Sequence, residues 1–168
     1  MTKFLYGAAV QGIQNFIFQT NKLREIVGAS ELVEEICTSK FAKLLGKKGY
    51  YSAFFHGAEN GSMGFQAFAR ATGFEDYLGR TEYNEDNRFQ GDADFDGTWA
   101  IWDEPFLQFY ALKMSEFREP FVSAVFTASS HHPYAIPESY KEIYPEEELV
   151  IHKCVRYTDH ALELFFET

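Results

Sequence analysis

An α/β layered domain, with a mostly parallel sheet of few strands flanked by helices, is the fold class this sequence predicts. Three observations lead to it. Short apolar runs ("FLYGAAV", "YYSAFFHG", "PFVSAVFTA") alternate with stretches whose apolar residues recur every three or four positions. Each run closes on glycine or on a polar loop, as buried strands do. With 168 residues, 46% of them hydrophobic and 18% aromatic, the chain is long enough to bury a core and short enough for one compact unit. Strand and helix in alternation suit parallel pairing, because each crossover must carry the chain back over the sheet.

The elements follow in order. Residues 4–10 read as a buried strand. Ile13, Phe16, Ile17, Leu23, Ile26, Val27, Leu32, Val33, Ile36, Phe41, Leu44 and Leu45 then line one helical face, bent at Gly28, restarted by Ser30 as N-cap and ended at Gly46 to Gly49. Residues 50–57 are an aromatic strand entering the loop "HGAENG". "SMGFQAFARATG" predicts a short helix stopped by Gly73. Residues 75–97, acidic and with irregularly spaced aromatics, read as a long surface loop. "WDEPFLQFYALKMSEF" predicts a helix with Asp103 as N-cap and Pro105 in the first turn, where its missing N–H costs nothing. Residues 120–128 are a buried strand, "SSHHPYAIPESYKEIYPEEE" a polar loop, and "LVIHKCVRYTDHALELFFE" a terminal helix.

Charge narrows the function classes. Fifteen basic and 25 acidic residues give a net charge of −10, and such a surface repels phosphate backbones, so direct nucleic-acid binding is not expected. The charge is uneven, with seven basic against four acidic residues in 1–49 and eight against twenty-one in 50–168, a break that suggests two compositional histories. Cys37 and Cys154 lack CxxC spacing and read as reduced structural thiols. No apolar run approaches the ~20 residues of a membrane span and none suits a signal peptide, so the expectation is no membrane association and a cytoplasmic location.

Candidate chemistry sits in the loops after strand ends, where sheets of this class collect functional groups. His56 closes one strand and His131–His132 follow another; imidazole serves as ligand, acid or base, or hydrogen-bond donor near neutral pH. Polar residues that simply face solvent are the competing reading for both places. Asp159 and His160 adjoin within a helix, where neighbours point about 100° apart, and read as solvated. Asp92, Asp94 and Asp96 alternate like a calcium loop but lack its glycine and distal glutamate. No GxSxG, Walker loop, HExxH or GxGxxG occurs.

Four stretches carry a family resemblance in their order: "KKGYYSAFFHGAENGSMGFQAFARATGF", "DFDGTWAIWDEPFLQF", "PFVSAVFTASSHHPYAIPESY" and "HKCVRYTDHALELFFE". Residues 41–168 thereby resemble the sulfatase-like branch of the alkaline phosphatase superfamily, close to the lipoteichoic acid synthases. The resemblance implies a parallel α/β sandwich and a metal-dependent phosphotransferase or sulfatase. Its metal ligands in the family are a glutamate and the threonine nucleophile upstream and an Asp-His pair downstream, and none of these has a counterpart here. The expectation is therefore a module without a metal centre, cofactor or catalytic residue of its own. The resemblance implies a retained substrate side, formed by His56, Asn60, Trp99 and His131, with His131 at the family's substrate-contacting histidine. The tryptophan and arginine that grip glycerol phosphate in the synthases have no match in "GSMGF", so that substrate is not carried over.

Residues 3–38 are similar instead, through "VQGIQNFIFQTNKLREIVGASELVEEI", to the opening of a palm domain in the large subunit of type III CRISPR effector complexes. That family's Gly-Gly-Asp-Asp turn is absent, so nucleotide cyclisation is not implied. The two resemblances together describe a chimera, with a palm-like strand-helix segment in 1–40 and a partial sulfatase-type domain in 41–168, expected to fold as one compact unit. A CRISPR effector complex, mimicked or bound, is the protein partner the first segment implies. Self-association is the other expectation, because a truncated sheet leaves an edge or an apolar face open.

Overall fold

The computed structural model describes residues 41–145 and 148–168. The predicted strand at residues 4–10 and most of the long helical pattern after it lie outside these residues. Ala42 to Thr168 make up one compact unit. Its elements run α1 (Phe41–Gly46), β1 (Tyr51–His56), α2 (Phe65–Thr72), β2 (Asp76–Leu78), α3 (Arg80–Glu85), α4 (Asp103–Glu116), β3 (Phe121–Phe126) and α5 (Ile151–Glu167).

The expected parallel α/β architecture is what the chain adopts. The strands order β2-β1-β3, and both pairings are parallel, with Phe54 opposite Tyr77 on one side and His56 opposite Phe126 on the other. Alternation along β1 sorts its side chains between two layers. Ala53 and Phe55 join Tyr83, Ile101, Phe106, Leu107, Phe109, Tyr110 and Ala161 in the main core, against α4 and α5. Phe54 faces the other way, onto Ala69 of α2 and Tyr77 of β2. A third cluster of Ile136, Cys154 and Tyr157 fastens the long loop after β3 to α5.

Residues 75–97 depart from the expected surface loop. They hold β2, α3 and a short 3₁₀ turn at Gly91–Asp94. A three-residue strand has no period of its own to read; Asp76, Tyr77 and Leu78 become a strand by pairing with Ala53, Phe54 and Phe55. Gly79 then allows a close approach that any side chain would block, since a Cβ there would sit 2.2 Å from Asn60 Oδ1.

Helix α4 also begins differently. Asp103 is its first helical residue rather than its N-cap, a position taken by Trp102 without a side-chain hydrogen bond. The orphan N–H groups of the first turn are met from elsewhere in the chain. The Asp103 N–H donates to Ser129 Oγ at 3.0 Å, and the Glu104 N–H to the Tyr157 hydroxyl at 3.2 Å. Pro105 has no N–H to satisfy, and the Phe106 N–H closes the first intrahelical bond on Trp102 O at 3.1 Å. One turn of helix thus ties the loop after β3 and helix α5 to the sheet's carboxyl edge.

Candidate functional site

The parallel register places the ends of β1 and β3 side by side. His56 ends β1 and Phe126 ends β3, and His56 Nδ1 lies 3.0 Å from the Phe126 carbonyl oxygen. A carbonyl only accepts, so Nδ1 carries the hydrogen. The ring is 5% exposed, with Phe65 at 4.4 Å and Phe126 at 5.1 Å between centroids. Burial lowers its pKa from 6.5, against the opposing effects of the Phe126 hydrogen bond and the Asp103 charge. His56 is thereby a neutral ring locked under the sheet edge.

Asn60 is also engaged. Its Nδ2 donates to both carboxylate oxygens of Glu82 at 3.0 Å, and its Oδ1 accepts the Thr81 N–H at 3.3 Å. Glu82 in turn accepts the Gly79 N–H at 2.7 Å. Asn60 therefore holds the start of α3.

Trp99 and His131 come together. Their ring centroids are 4.4 Å apart at an angle of 56°, and both side chains are exposed on one outer face. One atom organises the pair. The His132 carbonyl oxygen accepts Trp99 Nε1–H at 2.5 Å and His131 Nδ1–H at 2.8 Å. With Nδ1 as donor, His131 Nε2 is the ring's other hydrogen-bonding position.

Each partner is held from behind. Asp96 Oδ1 accepts the N–H groups of Thr98, Trp99 and Ala100 at 2.7, 2.6 and 3.2 Å, so Trp99 rides on a tight turn. The antiparallel bridge Phe95–Ile101 closes that turn, and the bridge Ala58–Ala100 pins it to the loop after β1. On the other side, the buried Asp103 carboxylate accepts the N–H groups of Ala128 and Ser129 at 2.8 and 3.2 Å and the Thr158 hydroxyl at 2.7 Å. The sequence does not disclose these roles: Asp96 stands in a calcium-loop-like alternation, Asp103 reads as a helix cap, and Ser129 is not singled out.

Among the described residues no group of three or more His, Cys, Asp or Glu side chains converges. The alternating aspartates are each taken by protein donors: Asp92 by Arg80 and Asn84, Asp94 by the Tyr83 hydroxyl, Asp96 by its own turn. His160 lies 3.2 Å from Glu163 one turn on, and rather than being simply solvated its half-buried ring sits beside Tyr140 and Tyr144. Cys154 is a free, buried thiol, and Cys37 lies outside the described residues. A cavity of about 420 Å³ opens further along the same loop between Tyr134, Ile136, Lys141, Tyr144 and Lys153, and none of the four candidate residues lines it. No helix among the described residues is long and apolar enough to cross a membrane.

Comparison with known proteins decides the family. The sulfatase family model matches residues 37–168. The chain belongs to the sulfatase family. This sulfatase-family chain is similar to a protein in the alkaline phosphatase superfamily from Vibrio parahaemolyticus, at 31% identity and a TM-score of 0.62 over 75% of its own length and 30% of the other's. It shares its fold with the lipoteichoic acid synthase LtaP from Listeria monocytogenes, at 24% identity and a TM-score of 0.57, over 75% of this chain and 31% of the synthase. The chain thus spans about a third of the length of either protein. The match covers the expected sulfatase-type segment; residues 1–36 fall outside it.

Proposed function

We propose that this chain is a non-catalytic α/β module that keeps the substrate side of a sulfatase-type site, formed by Trp99 and His131, without its metal centre. The observation that carries the reading is the double acceptance by the His132 carbonyl, which sets an indole face and an imidazole edge side by side on the surface. An indole face packs against the carbon skeleton of a sugar or polyol, and a protonated Nε2 donates to a sulfate or phosphate ester oxygen. His56 and Asn60 are engaged within the fold, the first packing the strand ends and the second bracing α3. Asp92, Asp94, Asp96 and Asp103 each accept hydrogen bonds from protein donors.

Titration of the purified chain with p-nitrophenyl phosphate and with p-nitrophenyl sulfate, followed by Trp99 indole and His131 ring resonances, tests this. Saturable shifts that Trp99→Ala or His131→Ala abolish are expected, with no ester cleavage when manganese or zinc is added. Phosphodiesterase, phosphatase or sulfatase turnover on metal addition, lost in His131→Ala, would overturn it.

A second reading concerns residues 1–36, which the sulfatase match leaves out. On this reading they dock onto or mimic a subunit of a type III CRISPR effector complex. Co-purification with such a complex that disappears when residues 1–40 are deleted is its expected result, and unchanged binding after the deletion sinks it.

A further inference from the structure

We infer that Asp103 is the positioning residue of the Trp99–His131 site, its buried carboxylate setting the loop whose carbonyl aims both rings. The inference rests on the binding reading above and names the residue on which that site's geometry depends. Asp103 is 3% exposed at the head of α4. Its Oδ1 accepts two consecutive backbone donors, the Ala128 and Ser129 N–H groups, and its Oδ2 accepts the Thr158 hydroxyl from α5. Ser129 returns the contact, its Oγ accepting the Asp103 N–H, and Thr158 Oγ1 lies 3.3 Å from Ser130 Oγ. Three consecutive loop residues, Ala128 to Ser130, are therefore fixed through one carboxylate.

The turn that follows inherits that placement. The His131 N–H bonds back to the Ala128 carbonyl at 3.1 Å, and the Tyr134 N–H to the His131 carbonyl at 2.9 Å. The His132 carbonyl that accepts Trp99 Nε1–H and His131 Nδ1–H lies within this bonded turn. A buried carboxylate is costly unless donors meet its oxygens, and a residue that only filled space would not bring that cost. Here the three donors come from the loop and from α5, so charge and loop order are one device.

The test reads the geometry of the rings, which a purely structural role would leave in place. In ¹⁵N-edited spectra of the full chain, Trp99 Nε1–H gives a resonance assigned by its loss in Trp99→Phe. Asp103→Ala is expected to move that resonance to the position of a solvated indole and to weaken binding of inorganic sulfate by about tenfold, the effect of losing one charge-assisted contact. Asp103→Asn is expected to restore both. Its Oδ1 still accepts the two backbone donors, and its Nδ2 donates to Thr158 Oγ1, whose hydrogen turns to Ser130. Thr158→Val, which removes one donor and keeps the carboxylate, is expected to move the resonance part of the way. A folded Asp103→Ala with the indole resonance and sulfate affinity of the wild type overturns the inference. If Asp103→Ala does not fold, Thr158→Val with an unmoved resonance overturns it instead. A wild-type chain that does not bind sulfate defeats the binding reading alone, and the indole comparison still decides the role of Asp103.

Discussion

Burial holds the His56 imidazole below its ordinary value of 6.5, and the Phe126 carbonyl and the Asp103 charge only partly offset it. As pH falls, the unfolded chain takes up the proton first. The stability carried by the neutral ring is therefore fully present above about pH 6.5 and is lost as pH drops through that value toward the lower folded pKa. Urea unfolding at pH 7.5 and 5.5 is expected to show a loss on acidification that His56→Gln reduces. Gly79 poses a steric question of the same size. An alanine Cβ would meet Asn60 Oδ1 at 2.2 Å and Tyr77 Cε1 at 2.9 Å, so Gly79→Ala is expected to cost about 1–3 kcal/mol in urea unfolding. Neither effect is visible in the local sequence, because each depends on a neighbour from another element.

At the scale of elements, helix α4 is the junction. Its hydrophobic side was legible from Phe106, Leu107 and Tyr110, all of which are buried in the main core. The origin of its capping was not legible, since Ser129 and Tyr157 lie 26 and 53 positions away from the N–H groups they accept. Tyr157→Phe keeps the buried ring and removes only the acceptor for the Glu104 N–H. It is expected to lower stability by about 1 kcal/mol in denaturant titration, without displacing Trp99. Helix α3 makes the same point from the other direction. Six residues, "RTEYNE", carry too few periods to announce a helix, and it is held by the Glu82 carboxylate on the Gly79 N–H and by Asn60.

Across the whole molecule, one charged group joins the end of α3 to α4. Asp86 accepts from Arg88 at 2.6 Å and pairs with Lys113 at 2.9 Å, and Arg88 reaches on to Glu116 at 2.7 Å. The Arg88 guanidinium, with Lys113 beside it, holds the Asp86 carboxyl well below the usual carboxylate range. A carboxylate lowered in this way stabilises the fold above its unfolded pKa and loses that contribution as pH falls through the folded one. The stability gap between wild type and Asp86→Asn is therefore expected to be widest near neutral pH and to narrow in acid below about pH 4, read as urea midpoints across that range.

The sequence by itself determined the alternation of elements, the apolar runs that became β1 and β3, the helices α4 and α5, and the sulfatase-like motifs of residues 41–168; of the two strands expected to be buried, β1 is, whereas β3 is half-buried and ends on an exposed Phe126. These were legible because period and turn chemistry act over a few residues, and because the core faces of these elements are mostly apolar. Only the tertiary structure decided that "DYL" is a strand, that Asp103 serves the loop after β3 and that His56 is sealed in while Trp99 meets His131. Those outcomes depend on contacts between residues 20 to 70 positions apart, such as His56 with Phe126 or Asn60 with Glu82. Such pairings follow from the parallel register and from where the crossovers land, and no local window contains them.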